Sequence, residues 1–113
     1  MHPLIEKMRR AREKVVETGG HRFTIRRPTH LQIIEARAAS GGTTVRSALG
    51  YVVGWNLTEI DLVPGGAPDP VPFDETLFIE WVEDKPVIWG DLIQEIQNAY
   101  ADHVKKMEEA EGN

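Results

Sequence analysis

The chain has 113 residues, of which 41% are hydrophobic, 27% are charged and none is cysteine, and its formal net charge is −5. That length favours one small domain, and a near-average apolar content argues against a wholly disordered chain. The absence of cysteine excludes disulfides, thiolate metal ligands and cysteine nucleophiles, and points to a reducing compartment.

Leu4, Met8, Ala11 and Val15 recur at helical spacing, widened by Ile5 and Val16, which predicts an amphipathic helix over 3–17 that Gly19 and Gly20 end. Charges interrupt its apolar residues, unlike a signal peptide, and every apolar run falls short of the roughly 20 residues of a membrane span, so a cytoplasmic protein is expected. His21 to Arg27 alternates, with Phe23 and Ile25 on one side, and predicts a strand that Pro28 stops. Thr29 and Gln32 have capping-box spacing for a helix to about Ala39, with Leu31, Ile34 and Ala38 facing inward. Ser40-Gly41-Gly42 reads as a turn. Thr43 or Thr44 then caps a helix in which Val45, Ala48, Leu49, Val52 and Val53 repeat, with Gly54 as its stop.

Around 59–63, Ile60 and Leu62 alternate with Asp61 and Val63, which suggests a short strand pairing with 22–26. Residues 64–72, PGGAPDPVP, exclude helix and central strand because proline lacks the backbone donor; they read as a stiff connector or a recognition surface. Asp74 caps a helix to about Asp84 that stacks Leu77 on Trp81 and Phe78 on Val82, and Lys85-Pro86 breaks it. A last helix runs from Val87 or Asp91 to about Glu109, striped by Trp89, Leu92, Ile93, Ile96, Tyr100, His103 and Met107. These elements add up to a mainly α fold with a minor two-stranded β element: one small domain, 1–113, of about four to five helices. Its parts are a basic helix (1–20), a strand plus two helices (21–63), a Pro/Gly loop (64–73) and the C-terminal helices (74–110).

Charge is distributed unevenly. Residues 1–27 hold eight Lys/Arg against three Glu, a net +5, and the remaining residues hold five against fifteen, a net −10. A basic arm on an acidic body suits nucleic acid or an acidic partner, although most charge runs are simply solvated.

Little else points to chemistry. His2, His21, His30 and His103 form no HxH or HExxH pattern, Ser40 and Ser47 lack a nucleophile-elbow context, and neither Ser40-Gly41-Gly42 nor Pro64-Gly65-Gly66 matches a phosphate loop. The expectation is no enzyme, no metal and no cofactor. The two helices over 30–39 and 44–53 outline a helix-turn-helix, but the second offers base edges only Thr44, Arg46 and Ser47. Arg9, Arg10 and Arg12 could instead grip phosphates, which makes nucleic-acid binding the alternative reading. The stronger class is protein interaction. Aromatic residues gather around the proline loop, and tryptophan is favoured at interface hot spots. Trp55, Phe73, Phe78, Trp81 and Trp89 are the candidate partner-binding residues.

The second half carries a resemblance. Gly54-Trp55, then Gly65-Gly66, then Pro70-Val71-Pro72-Phe73, then an acidic helix from Asp74 and a Glu/Lys-rich end closing on Gly112-Asn113 resemble small tail assembly chaperones of tailed phages and prophages. Phe23 to Ala38 is similar to the opening of such proteins. The chain departs in its longer proline loop and more basic first helix. The resemblance implies a mostly helical, non-enzymatic protein. It would bind the tape-measure protein and tail-tube subunits during assembly in the host cytoplasm, with self-association allowed, and be absent from the mature virion.

Overall fold

The computed structural model describes residues 2–39 and 44–112. Its described elements run α1 (Pro3–Arg10), β1 (Glu13–Thr18), β2 (His21–Arg26), α2 (His30–Ala38), α3 (Val45–Leu49), β3 (Val52–Trp55), α4 (Glu59–Leu62), α5 (Glu75–Val82) and α6 (Pro86–Glu111). The strands form one antiparallel sheet in the order β1-β2-β3. The fold is therefore mixed, helices around a three-stranded sheet. This corrects the expectation of a mainly α chain with a two-stranded element.

Two segments account for the difference. The helix expected over 3–17 stops at Arg10, and residues 13–18 are a strand paired with β2 in the register Thr18↔His21 and Val16↔Phe23. Val15, Val16 and Thr18 are β-branched and prefer the pleated surface. Gly19 and Gly20 sit at φ 60 and 79, the pair of positive values that a two-residue hairpin turn needs. The glycines that looked like a helix stop turn the chain between two strands. The second correction is at 52–55. The helix expected over 44–53 ends at Leu49, and Val52, Val53 and Gly54 form β3 against β2. A Cβ on Gly54 would meet the Thr24 side chain at 3.2 Å, so the glycine serves close strand pairing and not helix termination. Residues 59–62, expected as a strand, form the short helix α4.

Other local signals hold. Phe23 and Ile25 are fully buried on one face of β2. Thr29 accepts the Gln32 N–H at 3.1 Å while the Gln32 side chain accepts the Thr29 N–H at 2.8 Å. Thr44 caps α3 by accepting from Ser47, and Asp74 caps α5 by accepting from Leu77 at 2.9 Å. Pro86 breaks the chain direction and then occupies the first turn of α6, where its missing donor costs nothing. The turn expected at 40–42 lies outside the described residues.

The core forms where α5 and α6 meet the sheet: Val16, Phe23, Ile25, Leu49, Val52, Leu57, Phe78, Trp81, Val82, Ile88, Leu92 and Ile96. From the stripe expected on the last helix, Leu92 and Ile96 are buried, Trp89 and Ile93 are half-buried, and Met107 is exposed. Polar ties fix α6 along β1. Thr18 donates to Asp91 at 2.7 Å, and Lys14 pairs with Glu95 at 3.1 Å. The proline loop folds back onto the chain entering α4, with Val71 N–H donating to Leu57 O at 3.0 Å and Ile60 N–H to Ala67 O at 2.9 Å.

Candidate protein-interaction surface

The five candidate aromatics fall into three environments. Trp55 and Phe73 pack edge to face with ring centroids 5.2 Å apart, and the Trp55 Nε1–H donates to Val71 O at 2.7 Å. The Gly54-Trp55 strand and the Pro70–Phe73 segment, 15 residues or more apart in sequence, thus meet as one half-buried knot. Phe78 is fully buried beneath that knot, 5.9 Å from Phe73 and 6.1 Å from Phe23. Trp81 is buried as well. It donates to Asp61 O at 3.1 Å, carries the Lys85 ammonium 4.6 Å above its ring, meets His21 edge to face and lies tilted against Phe23. Phe78 and Trp81 therefore hold the fold and present little free surface to a partner. This is ordinary behaviour for large rings in a small core.

Trp89 differs. It is half-buried and lines a cleft of about 280 Å³ with Val45, Leu49 and Ile79, between α3, α5 and α6. Arg46 and Glu83 pair across its rim. A second cleft of about 220 Å³ lies on the other side of α3, where Ile33, Ala48, Tyr51, Ile93 and Tyr100 meet. Burial pushes the Tyr51 phenol above its usual pKa, so it stays neutral there.

Apolar side chains are left uncovered on α1 and α2, where the sequence pointed to a core. Neither helix buries any residue. Leu4 and Met8 are 58% and 60% exposed, and Leu31 and Ile34 are 64% and 45% exposed. Ala38, expected to face inward, is exposed too. Ile33 and Arg37 reach the second cleft from α2, and His30 Nδ1 meets Tyr100 Oη at 3.1 Å. The helical periodicity was readable, but the side that would be covered was not.

The basic arm is partly neutralised. Glu13 accepts from Arg26 at 2.8 Å, Glu17 accepts from Arg22 at 2.9 Å, and Lys14 reaches Glu95. Arg10 is exposed at the end of α1, and Arg9 and Arg12 are half-covered. Among the described residues no His/Cys/Asp/Glu group has metal-holding geometry, and no helix is long and apolar enough to cross a membrane. Compared with known protein families, curated proteins and solved structures, the chain finds no match.

Proposed function

We propose that this chain is a non-enzymatic tail assembly chaperone of a tailed phage or prophage. It binds the tape-measure protein and tail-tube subunits in the host cytoplasm and leaves before the virion matures. The resemblance of 22–113 to that family supplies the class. The observation that carries the binding role is the uncovered apolar stripe of Leu4, Ile5 and Met8 on α1 and of Leu31 and Ile34 on α2. Contiguous exposed apolar surface in a small protein marks an interaction face. A long amphipathic helical client offers complementary anchors at i, i+3, i+4 and i+7, which grooves between helices receive. The cleft at Trp89 supplies one such groove, and Trp89 is the candidate ring placed to meet a client without first leaving the core. The Trp55–Phe73 knot shapes the resembling motif and, being half-buried, contributes at its edge.

The test is co-expression with tape-measure fragments. The chain keeps a fragment soluble, and the complex survives half-molar salt because apolar contacts are not screened. A Leu4→Ser/Met8→Ser/Leu31→Ser variant and a Trp89→Ala variant stay folded and lose the complex. Truncating one true hot spot weakens binding by about 2 kcal/mol or more. An Arg9/Arg10/Arg12→Gln variant keeps it. If the arginine variant alone loses binding while folded, or if DNA is captured in a strongly salt-dependent way, the nucleic-acid reading replaces this one. The same exposed faces support self-association, which light scattering reads as mass.

A further inference from the structure

Where the end of α1, the start of β1, the residue after β2 and the middle of α6 meet, a pocket of about 310 Å³ collects cationic side chains. Its lining holds Arg12, Lys14, Arg27 and Lys106 against Glu13 and Asp102, a local positive excess in a chain of net charge −5. The hairpin creates this gathering, because the Arg27 N–H donates to the Arg12 carbonyl at 2.9 Å and so places the two arginines side by side. Part of the counter-charge is engaged: Glu13 pairs with Arg26, and Lys14 pairs with Glu95 from outside the pocket, which leaves Asp102 as the carboxylate facing the other cations of the lining. Among the described residues Arg12, Arg27 and Lys106 make no ion pair. The Arg12 Nε is cut off from solvent and has no hydrogen-bond partner. Part of that guanidinium's desolvation is thus incurred before any ligand arrives, and an anion gains the ion pair against a smaller loss of hydration.

We propose that this pocket is a phosphate-binding site. Donors approach from two walls, the Arg12 and Arg27 guanidiniums on one, the latter with one Nη already donating to Pro28 O at 3.2 Å, and Lys106 with His103 from α6 on the other. Such an arrangement suits a tetrahedral oxyanion with several acceptor oxygens better than a planar carboxylate. The electrostatics agree. Arg27 is held below its usual pKa by burial and then by Arg12. His103 is held below its own by burial, and then by Arg27, His30 and Lys106. Unneutralised like charges in one place are what an oxyanion relieves. Binding then favours the His103 imidazolium, so a proton is taken up and affinity rises as pH falls. Sulfate, whose charge is constant over this range, isolates that effect. The groups setting it are Arg12, Lys14, Arg27, His30 and Lys106 on one side and Glu13 and Asp102 on the other.

The site is tested on the full chain by NMR titration with inorganic phosphate at fixed ionic strength, following the Arg12 Nε–H and His103 ring signals. Saturable shifts are expected. Arg12→Gln, Arg27→Gln and Lys106→Gln each weaken binding about tenfold, the effect of losing one charge-assisted hydrogen bond. Arg22→Gln, an exposed site on β2, changes nothing. Lys106 is exposed on α6, so its variant still decides the matter if the arginine variants fail to fold. Sulfate binds more tightly at pH 5.5 than at pH 7.5, and His103→Gln removes that difference. A nucleoside monophosphate and a short single-stranded DNA, titrated separately, identify whether the phosphate is free or part of a strand. Shifts that fail to saturate, unchanged affinity in Lys106→Gln, or acetate binding as tightly as phosphate overturn the proposal. The phosphate, sulfate and acetate outcomes do not bear on the apolar faces and leave the chaperone reading to its own test; strongly salt-dependent binding of the single-stranded DNA favours the nucleic-acid alternative.

Discussion

The α5–α6 pair and the α1–α2 pair are all amphipathic helices in sequence, and they end in opposite situations. On α5 and α6, Phe78, Trp81, Val82, Ile88, Leu92 and Ile96 are buried against the sheet. On α1 and α2 no side chain is buried, although their apolar residues recur just as regularly. Periodicity states that a helix has an apolar side; it does not state that the molecule has anything to put against it. The uncovered pair is where a partner has most to gain, because burying an exposed apolar side chain contributes about 25 cal/mol per Å².

The widest gap between the two regions should appear in stability. Phe78→Ala or Leu92→Ala leaves a cavity in a filled core and costs about 3–5 kcal/mol in urea unfolding. Met8→Ser or Leu31→Ser changes stability by about 0.5 kcal/mol or less. Similar losses at both sets would mean that α1 and α2 are packed after all. The hairpin that holds the sheet under α6 comes next. Gly19 has φ 60, and an added Cβ would lie 2.6 Å from Ile88 Cδ1, so Gly19→Ala combines backbone strain with overpacking. A loss of about 1–3 kcal/mol is expected, compared with less at Gly20, where a Cβ meets nothing within 4 Å. Asp74→Ala removes the α5 cap and costs about 1 kcal/mol.

The smallest effect is electrostatic. Asp61 accepts from the Thr58 N–H at 2.8 Å and from its hydroxyl at 2.9 Å, which holds the carboxyl below the usual carboxylate range. The folded state then binds a proton less readily than the unfolded one. The stabilisation is complete above the unfolded value near pH 3.9 and is lost as pH falls through the lower folded value. Asp61→Asn should flatten that acid limb of a stability profile while leaving Trp81, which donates to the Asp61 carbonyl, in place.

Much of the fold was legible because its cues are local. Phe23 and Ile25 alternate in a strand, Thr29 with Gln32 and Asp74 with Leu77 cap helices, and Lys85-Pro86 separates two helices. Cues that depend on a partner misled. Val15 and Val16 fit a helical stripe and a strand equally well until Gly19-Gly20 is read as a turn and β2 supplies the ladder. Val52 and Val53 continue a helical repeat until β2 offers a free edge. Of the candidate site, half-buried Trp89 in its cleft could not be told by residue type from Phe78 and Trp81, which the core takes up. The pocket at Arg12 and Arg27 had no sequence signal beyond a basic arm.

By itself, the sequence determined the helix caps at Thr29, Thr44 and Asp74 and the break at Pro86, that no thiol chemistry is available, and that positive charge gathers at one end of an acidic chain. These follow from side-chain chemistry and from hydrogen bonds spanning three or four residues. The tertiary structure alone decided that 13–18 is a strand, which apolar stripes are covered, and that Arg12, Arg27 and His103 share one pocket. Strand pairing and burial are set by residues distant in sequence, and a charge cluster forms only where the backbone brings separate segments side by side.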